Sequence, residues 1–261
     1  MPLTHPWTLV AVAACSVALA GPVAAWTRRY VRKSREDYTG EIAFETVSDP
    51  ESNVRTPIRG DDNRRRRVPG PSAHPPVRHP GLLATVPQVA ITLVLCGFCV
   101  WWGMTAEAVS AALVAVPVYA LLASAASVDA VAHLLPNRLL GSTAIWLAFC
   151  GTAAVVAQPS RTHAALRALL WALIAAVISL LLTLLRTGLG LGDVKLCTII
   201  GLWLGWFGGS MLALGLCAGI ALGGLGAVVL LATHRAGRKD SMAYGPYLTA
   251  GAMIVWPLAI V

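Results

Sequence analysis

Eight long apolar runs make up most of this chain and limit what it can fold into. They span approximately residues 7–26, 82–105, 108–128, 139–157, 164–185, 194–208, 210–233 and 244–261. A helix of about 20 apolar residues crosses a hydrocarbon core of about 30 Å. Charged residues form only 12% of the 261 positions, against roughly 25% in soluble domains. The sequence therefore predicts an all-α integral membrane protein with about eight transmembrane helices.

The distribution of basic residues predicts the orientation of these helices. Lys and Arg concentrate on the cytoplasmic side of membrane proteins, and residues 27–80 hold twelve of the 20 basic residues. If that stretch is cytoplasmic and the eight helices cross the membrane in alternating directions, both termini lie on the outer side of the cell membrane. The short run at 194–208 counts as a separate helix, because fusing it with the next run would place the basic cluster at 235–239 outside.

The polar stretch at 27–80 divides the chain into a first helix, 1–26, and a membrane domain, 81–261. It carries twelve basic and eight acidic residues with seven prolines, and it has too little apolar surface to offset its ordering entropy. We predict a mostly disordered cytoplasmic loop. Its basic run at 64–67 suits anionic lipid headgroups. We expect no nucleic-acid partner, because no aromatic residue interleaves with the basic run at 64–67 to stack on bases.

Two acidic residues, Asp129 and Asp193, lie at the ends of apolar runs, where an acid is costly and therefore indicates function. The predicted chain crosses the membrane twice between them, so both lie near the cytoplasmic face. Two carboxylates that converge cannot both ionise easily, since each charge raises the pKa of the other group. Such a pair suits amide hydrolysis, in which one member activates water and the other protonates the carbonyl oxygen.

Alternating glycines, Gly188, Gly190 and Gly192, precede Asp193. Glycine permits the close approach of another backbone, so an extended peptide can lie here, although close helix packing is an alternative. Two membrane acids also suit a proton- or ion-coupled transporter, but transport requires no alternating glycines. Many transporters have internal repeats, and we find no repeat beyond the two aspartates. A third possibility is an inactive scaffold, but the presence of both acids argues against it.

The segment Gly190-Leu-Gly192-Asp193 resembles the GxGD motif of polytopic aspartyl proteases. Its continuation, Val194-Lys195-Leu196, is similar to the prepilin peptidases, or type IV leader peptidases. Upstream, Asp129 followed after six residues by Pro136-Asn137-Arg138-Leu139 resembles that family's first catalytic aspartate with its Pro-Asn signature. Near the end, Tyr244-Gly245-Pro246-Tyr247 is similar to its last conserved segment, with Ala243 where a proline is usual.

The resemblance covers roughly residues 110–255 and implies an aspartic endopeptidase with Asp129 and Asp193 as its catalytic residues. It implies a prepilin or pseudopilin substrate, in which a short basic leader on the cytoplasmic side precedes an apolar helix. It implies no metal and no cofactor. Seven further positions are expected to bind substrate or shape the motifs: Gly190, Gly192, Lys195, Pro136, Asn137, Gly245 and Pro246.

Two of these expectations are more specific. Lys195 either favours the ionised form of a carboxylate or binds a lipid phosphate, because basic residues are common at membrane interfaces. Pro136 and Asn137 are frequent turn residues and are expected to shape the turn before the fourth helix.

Two departures from the family pattern bear on a second activity. Many bacterial members carry paired Cys-x-x-Cys motifs in the loop after the first helix and also N-methylate the new pilin terminus. Residues 27–80 contain no cysteine, and the usual Gly-Ser-Phe-Leu-Asn run is replaced by the sequence at 20–26. The resemblance therefore implies a short form without methyltransferase activity. Cys96 and Cys99 do form a Cys-x-x-Cys, but inside an apolar run, where packing is the expected role of free cysteine.

Overall fold

The computed structural model describes residues 6–48, 84–132, 135–185, 190–233 and 243–261, with only the backbone at 6 and 34–48. Within these ranges the chain forms eight α-helices, and a short 3₁₀ helix at Pro159–Arg161. The α-helices are α1 (Pro6–Ser48), α2 (Thr85–Thr105), α3 (Val109–Ala132), α4 (Asn137–Ala157), α5 (Thr162–Leu184), α6 (Leu191–Leu204), α7 (Gly209–Ala232) and α8 (Gly245–Ala259). Every regular element in the described ranges is helical.

Six of these helices, α1 to α5 and α7, are long and apolar enough to cross a membrane. The protein is therefore a multi-pass helical membrane protein. α6 and α8 have 14 and 15 residues, short of the roughly 20 that a full crossing needs. The count of eight crossings and the external position of both termini stay predictions.

α1 is longer than the sequence analysis predicts. The first helix was expected to end near residue 26, but α1 continues to Ser48, so residues 27–48 are helical where a mostly disordered loop was expected. The seven prolines of the polar stretch all lie at or beyond Pro50, and eight of the 22 residues at 27–48 are Arg, Lys or Glu, which are good helix formers. The rest of the predicted loop, with its basic run at 64–67, lies outside the described residues.

Small side chains face the interior of the bundle and large ones face outward, as α5 shows. Its buried residues are Ala168, Ala172, Ala175 and Ser179, whereas leucines such as Leu166 and Leu173 are exposed. A Cβ added to Gly201 of α6 would lie 2.9 Å from the Cα of Ala172. Lipid is as apolar as leucine, so helices in membranes associate through close packing of small residues. This arrangement holds α6 against α5.

α7 and α8 pack through glycines spaced four residues apart. Gly215, Gly219 and Gly223 are the buried glycines of α7, and a Cβ on Gly219 would lie 2.8 Å from the Cα of Leu248. Gly251 of α8 directly faces the backbone of Gly219. This is the small-residue spacing that lets membrane helices approach closely. It fixes the position of α8, including its first residue.

A break at Gly208 separates α6 from α7. Its φ is 139°, a conformation that glycine adopts readily and other residues rarely do. The chain at 205–208 therefore ends α6 and starts α7 anew. The separation of the sixth and seventh helices is confirmed.

An aromatic cluster of Tyr119, Trp203 and Trp256 lies in the core, with ring centroids 5.7 to 6.4 Å apart. Next to it, Pro257 in α8 lacks the N–H that would bond to the carbonyl of Met253, four residues earlier. The Tyr119 hydroxyl donates a hydrogen bond of 2.6 Å to that carbonyl oxygen. A side chain of α3 thus replaces the backbone bond that α8 lacks.

Cys96 and Cys99 are both fully buried on α2. Their sulfur atoms lie 3.7 and 4.0 Å from the carbonyl oxygens of Val116 and Ala112 on α3. The Cys-x-x-Cys therefore packs α2 against α3, in agreement with the packing role expected from the sequence.

We expect Tyr119→Phe to lower the free energy of unfolding by about 1–3 kcal/mol, because the Met253 carbonyl loses its donor in a buried site. Thermal unfolding of the protein in detergent measures the loss. Pro257→Ala restores a backbone N–H to Met253, so the same tyrosine substitution should do less damage in that background. An equal loss in both backgrounds would contradict the role assigned to the hydroxyl.

Candidate active site

Four helix ends meet at one end of the bundle: the last turn of α3 and the first turns of α4, α6 and α8. Gly192 of α6 packs against Leu135 in the turn before α4, and a Cβ on this glycine would lie 2.9 Å from Leu135 Cδ1. The Lys195 amine of α6 donates a hydrogen bond of 2.8 Å to the side-chain oxygen of Asn137 on α4. Each of these contacts joins residues more than 50 positions apart. Both predicted catalytic residues lie at this end.

Asp129 lies in the last turn of α3 and is 5% exposed. Its Oδ2 accepts a hydrogen bond of 3.1 Å from the backbone N–H of Gly245, the first residue of α8. The first N–H groups of a helix have no partner within the helix, and this end carries a partial positive charge. The carboxyl group of Asp129 therefore caps α8 and is stabilised by it.

Asp193 is the third residue of α6 and is 8% exposed. Its Oδ2 accepts a hydrogen bond of 3.1 Å from the backbone N–H of Gly190. Gly190 is the residue that precedes α6, and an acid three positions later commonly reaches back to that N–H. Asp193 thus caps its own helix, and each aspartate is oriented by one backbone N–H at a helix start.

The two aspartates are both buried at this end of the bundle. Each uses Oδ2 to accept its backbone hydrogen bond. None of the described residues donates a hydrogen bond to Oδ1 of either acid. Within the described ranges, no three or more His, Cys, Asp and Glu side chains come together. The arrangement suits a proton shared between two carboxyl groups with a water between them.

Gly245 has a specific reason to be glycine. A Cβ at this position would lie 2.5 Å from Oδ2 of Asp129, closer than any real side chain tolerates. The sequence marked Gly245 as a motif position, but not its contact with an acid 116 residues earlier. Pro246 follows as the second residue of α8, where the missing N–H of proline has no helical partner to lose.

The two glycines before Asp193 differ in their surroundings. Gly192 is partly buried against Leu135, a residue that the sequence did not single out because nothing in its local pattern signals a distant contact. Gly190 is exposed, and a Cβ there would meet only Asp193 Oδ2, at an ordinary 3.8 Å. Gly188 lies outside the described residues. Only Gly192 is required for packing.

The remaining motif residues build the turn between α3 and α4. Pro136 is buried immediately before α4, and its carbonyl accepts the backbone N–H groups of Leu139 and Leu140. Lys195 bonds to Asn137, a role that differs from both alternatives in the sequence analysis. This bond ties α6 to the start of α4.

Residues 116–232 match the type IV leader peptidase family. This segment is therefore similar to that family. The match runs from α3 into α7 and includes Asp129 and Asp193, whereas Gly245 lies beyond it. No curated protein and no solved structure matches the chain significantly. The match confirms the resemblance drawn from the motifs, and it indicates a peptidase with prepilin-type substrates in general.

We expect Gly245→Ala to reduce cleavage of a prepilin-type substrate by about 100-fold, because the added methyl group displaces the Asp129 carboxyl group and a shift of about 1 Å can have that effect. Cleavage of a co-expressed substrate, normalised to protein in the membrane, measures it. Gly224→Ala is the matched control, since a Cβ there meets nothing within 4 Å. Equal activity of the two variants would show that the contact has no importance.

The unequal surroundings of Gly190 and Gly192 predict unequal effects on stability. Gly192→Ala should lower the midpoint of thermal unfolding, because its methyl group collides with Leu135. Gly190→Ala should leave the midpoint close to that of the original protein. If Gly190→Ala proves the more destabilising of the two, the packing described for this turn is wrong.

Proposed function

We propose that Asp129 and Asp193 are the catalytic pair of an aspartyl endopeptidase. The proposal rests chiefly on one observation: two buried acids from distant parts of a chain that matches a peptidase family lie at the same end of the bundle, and each accepts a hydrogen bond from a backbone N–H at a helix start. Each acid has a structural role as a helix cap. A cap, however, is equally well made by Ser, Thr or Asn, so capping alone gives no reason for a costly buried acid.

In the proposed mechanism the pair holds one proton. The ionised acid takes a proton from the attacking water, while the protonated acid donates to the carbonyl oxygen of the scissile amide, and a proton then passes to the leaving nitrogen. The hydrogen bonds from Gly245 and Gly190 engage Oδ2 of each acid. The Oδ1 atoms then face water and substrate. Titration belongs to the pair and not to either residue.

The proposed substrate is a prepilin or pseudopilin, cleaved between its basic leader and its apolar helix at the cytoplasmic face of the cell membrane. Gly190 supports this substrate class, because it is exposed, lies beside Asp193 and has the extended dihedral angles φ −87° and ψ 161°. An extended peptide can pair with extended backbone, and glycine adds no side chain in its way. The proposal covers leader removal alone, without methylation.

The test is co-expression with a candidate prepilin. We expect Asp129→Asn and Asp193→Asn each to reduce leader removal by about 100- to 10,000-fold, the contribution of general acid–base catalysis. Asparagine still accepts the backbone hydrogen bond, so both variants should reach the membrane in normal amounts. Glu107→Gln is the matched control, because Glu107 lies between α2 and α3, at the opposite end of α3.

Two results would overturn the proposal. Efficient cleavage by either asparagine variant would exclude the pair. Proton flux through liposomes that depends on both aspartates, with no peptide cleaved, would favour the transporter alternative.

A further inference from the structure

A groove lies between α1 and α4, at the same end of the bundle as the two aspartates. Its outer part has a volume of about 290 Å³ and is lined by Pro22, Val23, Trp26, Arg138, Leu139 and Ser142. A second cavity of about 110 Å³ continues from Val23 between α1 and α3. Both are lined by Val23, so they lie next to each other along α1, the second one nearer the middle of the membrane, and we treat them as the outer and inner parts of one groove.

The inner part of the groove is apolar. Leu19, Ala20, Pro117 and Ala120 line it. The hydroxyl of Ser124 donates to a carbonyl of its own helix, at 2.8 Å. An apolar lining of this kind suits a hydrocarbon chain.

The mouth of the groove is cationic. Arg138, the second residue of α4, is exposed there, and the start of α4 adds the partial positive charge of a helix N-terminus. On α1, Arg29 and Lys33 follow Pro22 and Trp26 by seven residues. At 100° per residue they lie within about 20° of those groove residues, and both are exposed. Arg138 thus lines the mouth, and Arg29 and Lys33 lie beyond it on the groove side of α1.

Trp26 marks the boundary between the apolar and the cationic part. Its ring stacks on Tyr30, with centroids 5.3 Å apart. Tryptophan and tyrosine prefer the level of the lipid headgroups. The groove therefore presents hydrocarbon, then aromatic rings, then positive charge, in the order of the parts of a phospholipid.

We propose that this groove binds an anionic phospholipid. Arg138, Arg29 and Lys33 hold the headgroup phosphate, and one acyl chain lies along Val23 toward Pro117. Charge complementarity favours this occupant over a helix that follows a basic leader, because the three cations at and beyond the mouth repel such a leader. The lipid would contact the first turn of α4, whose Asn137 bonds to Lys195 of α6. It would thereby brace the turn beside the active-site residues.

The test measures lipid binding to the purified full chain by native mass spectrometry. Phosphatidylglycerol should be retained at least about tenfold more strongly than phosphatidylcholine with the same acyl chains. Arg138→Gln and Lys33→Gln should each weaken phosphatidylglycerol binding by about fivefold, the effect of one basic residue near a headgroup. Ser142→Phe fills the outer groove and keeps every charge, and it should also abolish retention.

Arg28→Gln is the matched control. Arg28 lies on the same helix at the same level, but its guanidinium group donates to Thr85 Oγ1 of α2, on the opposite side of α1. We expect this variant to retain phosphatidylglycerol fully. An unfolding midpoint without added lipid verifies that each variant is folded, and the two charge variants carry the test if Ser142→Phe fails to fold.

Four outcomes would overturn the proposal. Equal retention of the two lipids would exclude recognition of the negative headgroup, and an equal effect of Arg28→Gln would mean diffuse surface charge. Displacement by glycerol 3-phosphate, which has no acyl chain, would mean a simple anion site. Competitive displacement by an apolar prepilin helix would make the groove a docking site for the substrate.

Discussion

The hydrogen bond from the Gly245 N–H to Asp129 is the interaction on which the candidate site depends. It requires the start of α8 to touch the last turn of α3, which only a residue without a side chain permits. Two other contacts bring α8 to that position. The glycines of α7 pack against one side of α8. On another side, the Tyr119 hydroxyl donates a hydrogen bond to the Met253 carbonyl, which has no helical donor because residue 257 is proline.

Both aspartates accept a hydrogen bond from the start of a helix, and this explains how a membrane protein tolerates them. A buried carboxylate is costly, but a backbone N–H and the positive end of a helix offset part of that cost. The same bonds fix the orientation of each acid before any substrate arrives. The proposed lipid groove lies on the other side of α4 from Lys195, so the turn between α3 and α4 would be supported from both sides.

Much of the fold could be predicted from the sequence, because lipid imposes a simple length rule on apolar helices. Seven of the eight helices begin and end within a few residues of the predicted runs. The exception is α1. The composition of 27–80 was considered as a whole and indicated disorder, although the part up to Ser48 contains no proline. The shared end of Asp129 and Asp193 followed from an even number of predicted crossings. The contact of Gly192 with Leu135 and the bond between Lys195 and Asn137 could not be foreseen.

The sequence by itself determined that this is a helical membrane protein, which two acids are the catalytic candidates, and that they lie at the same end of the bundle. These conclusions follow from hydrophobicity, charge and an even number of membrane crossings, all of which can be read from the linear sequence. Only the tertiary structure decided which atoms touch those acids. The partner of Asp129 is 116 residues away. Such a contact depends on how each helix is rotated and tilted against its neighbours. Packing between helices sets that rotation and tilt, and the sequence pattern of a single helix does not contain it.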